Sequence, residues 1–334
     1  MSDSTSAARE LGRTGERLNA LGFGCMGLVG WYGTRDDAEA RATLLEAADA
    51  GIVHFDTAAS YQLGDNERFV GEVLKPLRQR LFIATKCGLA RNTAGAPVAD
   101  NRPDTIRSSC EASLARLGTE VIDLFYLHRI DPAVPIEESV GALRELVVAG
   151  KIRHVGLSEC SVATLRRAHK VQPVAAVQTE YSIWSREPEQ GMLAACAELG
   201  VSFVAYSPMG RGFLAGNFRR LDELPANDNR RNQPRFQDGA VAANEALVEA
   251  LRAIGGSLGA TAAQVAIAWV LARSPVVMTI PGMKTRAHLR DNLGALRLRL
   301  DSATLATIDT SVAALPVAGE RHPPAMMNII DREP

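Results

Sequence analysis

The sequence predicts an α/β protein of the (β/α)8 TIM barrel class. Eight short apolar runs alternate with eight amphipathic segments, which is the strand and helix count of such a barrel. The runs are short and apolar and do not alternate with polar residues, as expected for strands buried on both faces of a parallel sheet. No linker or composition break marks a second domain. We therefore expect a single domain over residues 1–334, with its core at about 10–315.

The elements follow one another in strand–helix order. Before the first repeat, residues 10–18 are predicted to form a β-hairpin around Thr14-Gly15. The eight strands are assigned to the apolar runs Leu21–Cys25, Ile52–Asp56, Leu81–Lys86, Ile122–His128, Arg153–Ser158, Ala175–Gln178, Val201–Tyr206 and Val276–Pro281.

Helices are assigned where apolar residues recur at helical spacing between turn residues. The helix over 36–50 ends at Gly51, and the helix over 103–117 begins with Pro103, which is favoured at the first helical position. An extra C-terminal helix over 302–314 follows the last repeat. The remaining helices are predicted over 65–75, 136–149, 162–170, 187–199, 261–273 and 285–296.

A long polar segment, from Pro208 to about Ala240, interrupts this order after the seventh strand. Loops longer than about 12–15 residues are uncommon and often functional. Two interpretations stay open here, a solvated surface loop and a basic belt that closes over an anionic ligand. The arginines of the segment are Arg211, Arg219, Arg220, Arg230, Arg231 and Arg235.

Composition and charge exclude several classes of protein. Hydrophobic residues make up 46% of the chain and the formal net charge is -1, so a disordered chain and a global field for nucleic acid are both excluded. The five cysteines are widely spaced without a C-x-x-C pair, which favours reduced thiols over disulfides or a zinc site. No signal peptide or membrane span is found. We predict a cytoplasmic protein without a nucleic-acid partner, a membrane partner or a metal.

A glycine pattern at the first strand, Gly22-x-Gly24-x-x-Gly27, matches the dinucleotide fingerprint of Rossmann folds. That fingerprint requires a helix to open within the glycine turn. Here helical periodicity begins only at Asp36, so the pattern indicates a glycine-rich turn at the top of the first strand.

Polar residues recur at the carboxyl ends of the predicted strands, where barrel enzymes build their active sites. Asp56, Lys86 and His128 end three successive strands, and Tyr61 follows in the loop after the first of them. Charges buried in this way are costly unless they are paired. The next three strands end at Ser158, Gln178 and Tyr206.

These residue types fit proton donation to a carbonyl oxygen. A lysine held by an aspartate stays charged, and its charge beside a tyrosine is expected to lower the tyrosine pKa from about 10. The tyrosine then donates a proton near neutral pH, and the histidine orients the substrate oxygen. No side chain supplies a hydride, so a nicotinamide cofactor is implied. The alternative is a structural ion pair and a hydrogen-bonded histidine.

Seven separated segments, in the same order, resemble motifs of the aldo-keto reductase superfamily over nearly the whole chain. The run from Asp56 to Glu67 is similar to the first signature of that family. Lys86 lies in a segment that resembles its lysine motif. The other matching segments are Tyr126-Leu127-His128, Gly156-Leu157-Ser158, Val177-Gln178, the run from Val204 to Leu214, and Ile280-Pro281-Gly282 with Asp291-Asn292-Leu293-Gly294.

The resemblance implies a nicotinamide dinucleotide bound in extended form across the barrel mouth. The general acid would be Tyr61, tuned by Lys86 and Asp56, and His128 would orient the carbonyl. The residues implied to bind the cofactor are Ser158 and Gln178 at the carboxamide, Tyr206 stacked on the nicotinamide ring, and Gly24, Met26, Glu159, Ser207, Pro208, Met209, Gly210, Arg211, Gly216, Arg235, Gly282, Lys284, His288, Asp291 and Asn292.

Three departures from the family pattern bear on the choice between NADP and NAD. Glu159 stands where many members have asparagine, and Gly282-Met283-Lys284 stands where the small-aldehyde reductases have Lys-Ser. His288 replaces an arginine that holds the 2′-phosphate in those reductases. With the long loop, these features resemble the bacterial and plant reductase branch related to potassium-channel β-subunits. NADP(H) is expected, held by Lys284 and Arg235, and NAD(H) is the alternative.

The expected activity is NADPH-dependent reduction of an aldehyde or ketone carbonyl to an alcohol. The alternatives are an alcohol or sugar dehydrogenase that uses the same site with NAD(P), and a regulatory subunit that holds NADPH as a redox sensor. Aromatic walls favour an apolar or aromatic carbonyl compound or a bulky cyclic ketone as substrate. The residues predicted to form these walls are Trp31, Tyr32, Phe125 and Trp184.

Overall fold

A β-hairpin precedes the barrel, as the sequence predicts. The computed structural model describes residues 8–237 and 239–332, and in it β1 (Ala8–Glu10) pairs antiparallel with β2 (Arg17–Asn19). Leu11 and Leu18 of this hairpin are buried inside the barrel against Phe82. The hairpin therefore closes the end of the barrel at which the strands begin.

The eight barrel strands are parallel and lie in chain order in one sheet. The first three barrel strands are β3 (Phe23–Gly24), β4 (His54–Asp56) and β5 (Phe82–Cys87). An antiparallel pair outside the barrel follows, β6 (Leu89–Arg91) and β7 (Pro97–Ala99). The other five barrel strands are β8 (Ile122–Leu127), β9 (Ile152–Ser158), β10 (Val174–Glu180), β11 (Ser202–Tyr206) and β12 (Val277–Thr279). Parallel bridges from Leu21 to Thr279 and from Gly24 to Gly282 join the first strand region to the last and close the barrel.

Helices connect the barrel strands and pack around the sheet. In chain order they are α1 (Asp37–Asp49), α2 (Asp65–Leu74), α3 (Pro103–Leu117), α4 (Ile136–Val148), α5 (Val162–Val171), α6 (Met192–Leu199), α7 (Ala240–Leu258), α8 (Ala262–Ala272), α9 (Arg286–Gly294), α10 (Ser302–Ala313) and α11 (Pro324–Met327). Their ends carry the expected signals. The Asp36 side chain accepts from the Glu39 amide at the start of α1, and Gly118 ends α3 with φ 62°.

The predicted barrel, hairpin and C-terminal helix are confirmed, but three elements differ from the prediction. Helix α7 follows the long polar segment and was not predicted, because Gly255 and Gly256 near its end weaken the helical pattern. The β6–β7 hairpin was also missed. The helix predicted over 187–199 divides into a 3₁₀ turn and α6, because Gly191, with φ 142°, interrupts it.

Alternate side chains of each strand divide the core into two layers. Leu124 and Tyr126 of β8 face inward and pack in the barrel interior. Phe125 and Leu127 face outward and pack in the layer between strands and helices. This alternation corrects the prediction for Phe125, which is fully buried away from the barrel mouth.

Two further expectations can be compared with the structure. All five cysteines are free and buried, as expected for reduced thiols. Over residues 8–237 and 239–332, no single helix is long and apolar enough to cross a membrane; α7 and α8 meet that test only as a pair bent by 88°. The cytoplasmic location stays a prediction.

His54 is an unusual group in the barrel interior. Both of its ring nitrogens are buried and have no hydrogen-bond partner among the described residues. The ring meets Phe82 edge to face, with centroids 5.7 Å apart. Burial lowers the pKa of His54 to about 4, since a charged ring would be desolvated there. His54 is therefore neutral in the folded protein.

We expect the free energy of unfolding to fall as pH decreases from about 6.5 to about 4. In this window the unfolded His54 binds a proton and the folded one does not, so acid favours unfolding. A pKa change from 6.5 to about 4 is worth at most about 3 kcal/mol. Urea unfolding at pH 7.5 and pH 5 measures the effect. A His54→Leu variant should lose part of this pH dependence, and an unchanged dependence would contradict the assignment.

Candidate active site

A cleft of about 1430 Å³ opens at the carboxyl end of the barrel strands. Sites for one small ligand usually measure roughly 300–1,000 Å³, so this cleft has room for two molecules side by side. The polar strand ends singled out in the sequence line it, except Lys86, whose side chain is buried behind the lining. Loop residues from the second half of the chain complete the lining.

The four predicted catalytic residues converge at one part of this cleft. Lys86 Nζ forms an ion pair with Asp56 and donates to the carbonyl oxygen of Thr57 at 2.8 Å. The same ammonium lies 3.5 Å from the Tyr61 hydroxyl. The rings of Tyr61 and His128 meet edge to face, with centroids 5.8 Å apart. The phenol and the imidazole thus line the cleft, and the Lys86 ammonium is buried directly behind the phenol.

Burial and charge act in opposite directions on these groups. Burial alone would lower the pKa of Lys86, but Asp56 and Tyr61 raise it above its usual value, so the ammonium stays charged. Burial raises the pKa of Tyr61, and the Lys86 charge offsets this only in part. The expected lowering of the tyrosine pKa was therefore wrong, because desolvation of the phenolate outweighs the nearby cation. Tyr61 stays protonated and available as a donor.

His128 is neutral in this environment. Burial, together with the charges of Arg129 and Lys86, lowers its pKa well below the usual value. Its Nδ1 lies 3.2 Å from the hydroxyl oxygen of Ser60, a residue that the sequence analysis did not assign to the site. Donation from this hydroxyl to Nδ1 leaves the ring proton on Nε2, which is then a neutral hydrogen-bond donor.

The loop that carries Tyr61 is held by buried and strained backbone. Asn66 at the start of α2 donates to the carbonyl oxygen of Cys25 at 2.8 Å. Gln62 and Leu63 have φ angles of 48° and 53°, in the left-handed region that disfavours residues with a Cβ atom. Strain of this kind persists where the surrounding structure enforces it, and here it fixes the path of the chain directly after Tyr61.

Residues implied to hold the cofactor line the rest of the cleft. Ser158 of β9 and Gln178 of β10 are paired in register, and Tyr206 ends the next strand. Gln178 also donates to Asp56 at 2.8 Å, which ties this side of the cleft to the Lys86 cluster. The other predicted cofactor residues on the lining are Gly24, Met26, Ser207, Pro208, Met209, Arg211, Gly282, Lys284, His288, Asp291 and Asn292.

Four predicted cofactor residues are not on the lining: Glu159, Gly210, Gly216 and Arg235. The Arg235 guanidinium is buried and donates to the Ser185 hydroxyl at 2.7 Å and to the Trp184 carbonyl at 3.1 Å. It also pairs with the buried Glu180 carboxylate at 3.4 Å. Because this carboxylate holds it inside the loop, the expectation that Arg235 contacts a 2′-phosphate is corrected.

The basic-belt interpretation of the 208–240 segment is corrected in the same way. Arg219 pairs with two glutamates of α7 at 3.0 and 2.8 Å. Arg211 and Arg230 line the cleft, but each pairs with a buried carboxylate, at 3.3 and 2.7 Å. The segment is a folded cap made of 3₁₀ turns, and much of its positive charge is neutralised within the protein.

The aromatic residues predicted to contact substrate divide into two groups. Trp31 and Tyr32 line the cleft. Trp184 does not, and like Phe125 it is corrected: its ring stacks on Phe213 with centroids 5.3 Å apart and is buried in the cap. Stacking of two large rings removes both from solvent, which explains why an aromatic next to the site is not on its surface.

Comparison with known proteins identifies the family. The model of the aldo/keto reductase family matches residues 20–313. This chain is an aldo-keto reductase. An aldo-keto reductase of Schizosaccharomyces pombe with NADP(+) in its name is 41% identical to it over 315 residues, which cover 92% of this chain and 93% of the relative. A probable aldo-keto reductase of Glycine max is 41% identical and covers 94% and 91%.

Solved structures of the same family resemble the fold. A glycerol dehydrogenase from Gluconobacter oxydans superimposes with a TM-score of 0.85 at 28% identity, covering 95% of this chain and 98% of the other. An aldo-keto reductase from Bacillus halodurans, in its holo form, gives a TM-score of 0.75 at 29% identity and covers 94% and 97%.

The C-terminal tail of this aldo-keto reductase supplies residues that the sequence analysis missed. His322, Pro323, Ala325 and Met326 line the cleft. The tail is proline-rich and mostly without helical or strand periodicity, so no pattern in the sequence places it across the barrel mouth. The weak signal that was present is the run Glu320-Arg321-His322, three consecutive polar residues ahead of an apolar stretch.

Proposed function

We propose that this aldo-keto reductase reduces an aldehyde or ketone carbonyl to an alcohol, with NADPH as the cofactor. The observation that carries the proposal is that Tyr61 and His128 meet on the wall of a cleft large enough for cofactor and substrate together. The ion pair of Lys86 with Asp56 lies directly behind the Tyr61 hydroxyl. When bound, the nicotinamide supplies the hydride, which no side chain of the protein can provide.

The side chains of the cluster act on the carbonyl oxygen. Tyr61 donates its proton to this oxygen as negative charge develops there. The Lys86 ammonium stabilises the phenolate left behind, and Asp56 keeps that ammonium charged and in place. His128 donates a hydrogen bond from Nε2 to the same oxygen and so orients the carbonyl.

The remaining part of the cleft fits an NADP-type dinucleotide. Gly24 and Gly282 lie on one wall of it, where the first and last strand regions of the barrel are bridged. A Cβ atom at Gly24 would lie 2.6 Å from the Ile280 carbonyl oxygen, so glycine lets these two regions pack closely. Ser158 and Gln178 supply donors and acceptors for a carboxamide, and Tyr206 supplies a ring for stacking. The Schizosaccharomyces pombe relative with NADP(+) in its name supports the same cofactor.

Lys284 is the cation proposed to hold the 2′-phosphate. It lines the cleft and is partly exposed, and its ammonium donates to the Tyr32 carbonyl at 2.8 Å. Within the parts of the chain that the structure describes, it has no carboxylate within ion-pair distance. The pKa of Lys284 is lowered by burial, a cost that a bound phosphate dianion would offset.

Replacing Lys284 with alanine should weaken NADPH binding by about tenfold or more, since a charge-assisted contact to phosphate is worth roughly 1.5–3 kcal/mol. NADH lacks this phosphate and should bind almost unchanged. Fluorescence titration of both cofactors measures the ratio. Arg235→Ala is the matched control: it removes a cation outside the cleft and should not discriminate between NADPH and NADH. Equal weakening of both cofactors by Lys284→Ala would contradict the assignment.

A panel of aromatic aldehydes, aliphatic aldehydes, ketones and quinones tests the proposed function. Each compound is assayed with NADPH and with NADH. Turnover of at least one class with a preference for NADPH is expected, and aromatic carbonyls should fit the walls made by Trp31 and Tyr32. NADPH binding without turnover of any class would instead favour a regulatory subunit.

A second candidate is an alcohol or sugar dehydrogenase that uses the same residues in the opposite direction. The similarity to the Gluconobacter oxydans glycerol dehydrogenase favours including it. In this direction Tyr61 would accept the alcohol proton through its ionised form. Because burial raises the pKa of Tyr61, oxidation should need a higher pH than reduction does. Comparing both directions with glycerol and with an aldehyde separates the two candidates.

A further inference from the structure

The C-terminal tail is tied to the barrel by buried polar contacts. Arg321 forms a bidentate ion pair with Glu159, with N–O distances of 2.9 and 2.8 Å. Further along the tail, the Asp331 amide donates to the Glu159 carbonyl oxygen at 3.2 Å, and the Asp331 carboxylate accepts from the Ser161 amide at 2.9 Å. The tail between these anchors carries the side chains that line the cleft.

His322 lies between Arg211 and Tyr206. The Arg211 Nη2 atom is 3.0 Å from His322 Nδ1, and a guanidinium can only donate, so Nδ1 is an acceptor. The ring proton of a neutral His322 is then on Nε2, which is 3.2 Å from the Tyr206 hydroxyl oxygen. This hydroxyl in turn donates to Glu159 Oε1 at 2.7 Å.

The hydrogen bonds therefore run in one direction, from Arg211 through His322 and Tyr206 to Glu159, with Arg321 on the far side of the carboxylate. We call these five residues the tail network. Burial lowers the pKa of His322 to about 3, which agrees with a neutral ring. Burial alone would raise the pKa of Glu159, but the Arg321 charge helps to lower it to about 2, so the final acceptor stays ionised.

We propose that His322 and Arg321 are positioning residues that fix the Tyr206 ring for hydride transfer. This inference rests on the proposed function, in which Tyr206 stacks on the nicotinamide. The Tyr206 hydroxyl is held at two points, by His322 from the tail and by Glu159 from the barrel. Hydride transfer depends steeply on the distance and tilt of the reacting groups, so a fixed ring keeps the donor in a reactive position.

The network also explains Glu159 in physical terms. A carboxylate at this position forms an ion pair with an arginine of the tail, whereas an asparagine has no charge and could not form one. The Glu159 side chain is buried and does not line the cleft, and its carboxylate faces Arg321 of the tail. The side chain thus supports the ring of Tyr206 from outside the cofactor site.

A double-mutant cycle tests the proposal. His322→Phe removes both hydrogen bonds but keeps a planar ring, and Tyr206→Phe removes only the hydroxyl. Each variant should slow hydride transfer in single-turnover experiments by about tenfold, with a smaller change in KM for the carbonyl substrate. The double variant should be no slower than the slower single variant. His322→Gln retains a donor toward Tyr206 and should restore most of the rate.

Asn328→Ala is the matched control, since it changes an exposed side chain of the same tail and should leave the rate unchanged. Thermal unfolding of each variant separates loss of fold from loss of position. Additive effects in the cycle, or a His322→Phe variant with the wild-type rate, would overturn the inference. The dissociation constant of NADP+ is measured for the same four proteins, since this measurement needs no turnover. If the wild-type protein binds NADP+ but reduces no carbonyl, the proposed function is refuted. The inference is then decided by whether the effects of His322→Phe and Tyr206→Phe on the NADP+ dissociation constant are coupled.

Discussion

Replacing Tyr61 with phenylalanine is expected to reduce kcat for an aldehyde by at least about a hundredfold, because a positioned general acid contributes roughly 10²–10⁴ in rate. The change deletes one hydroxyl, whose oxygen lies 3.5 Å from Lys86 Nζ, and leaves the ring to pack as before. The dissociation constant of NADPH should change little, since the phenol is proposed to contact the carbonyl and not the dinucleotide. Steady-state kinetics and fluorescence titration measure the two quantities.

Tyr32→Phe is the matched control for this prediction. Tyr32 lines the same cleft, and burial raises its pKa to about 12, but its proposed role is that of a substrate wall. Its loss of activity should therefore be much smaller than that of Tyr61→Phe. If Tyr61→Phe keeps more than a few per cent of kcat, Tyr61 is not the general acid, and His128 Nε2 becomes the donor to examine.

The barrel could be predicted from the sequence because its signal is repeated eight times. Each apolar run is short and each following helix has an apolar face, so an error in one unit does not change the fold class. Single features were less predictable. Helix α7 occurs once, carries Gly255-Gly256, and follows a segment that has no periodicity. The β6–β7 hairpin consists of two strands of three residues and is too short for an alternating pattern.

The candidate site was predictable where it lies on strands. In a closed parallel barrel all the carboxyl ends meet at one rim, so Asp56, Lys86 and His128 had to be neighbours if the fold was right. The error at Phe125 could have been avoided from the same strand. Side chains alternate along it, so His128 and Tyr126 face the barrel axis while Phe125 faces the helices.

Residues on the cap and the tail were not predictable in this way. Arg235 was expected on a phosphate because it is an arginine in a long loop, and its actual position depends on Glu180, which is 55 residues away in sequence. The same is true of Arg321 and Glu159, which are 162 residues apart. Such contacts follow from the tertiary fold, and no local pattern in either segment specifies them.

Replacing Lys86 with methionine should be nearly as damaging to turnover as Tyr61→Phe, and it should also destabilise the protein. The Lys86 and Asp56 side chains are 0% and 2% exposed, so the variant leaves a buried carboxylate without its cation. Removing one partner of such a pair typically costs about 3–5 kcal/mol of stability. Urea unfolding and kcat are measured on the same preparations.

The double variant Asp56→Asn with Lys86→Met separates catalysis from structure. It removes both charges. The hydrogen bond that Gln178 Nε2 donates to Asp56 is kept, because the amide introduced at position 56 still has a carbonyl oxygen to accept it. Stability should largely return, since no charge is left buried alone, whereas activity should stay low because the phenolate of Tyr61 has lost its cation. Return of both stability and activity would mean that the pair is only structural.

Asp56→Asn alone should shift the pH dependence of the residual rate, because each pKa unit of coupling is worth about 1.4 kcal/mol. A pH profile that superimposes on that of the wild type would exclude electrostatic tuning of Tyr61 through Lys86.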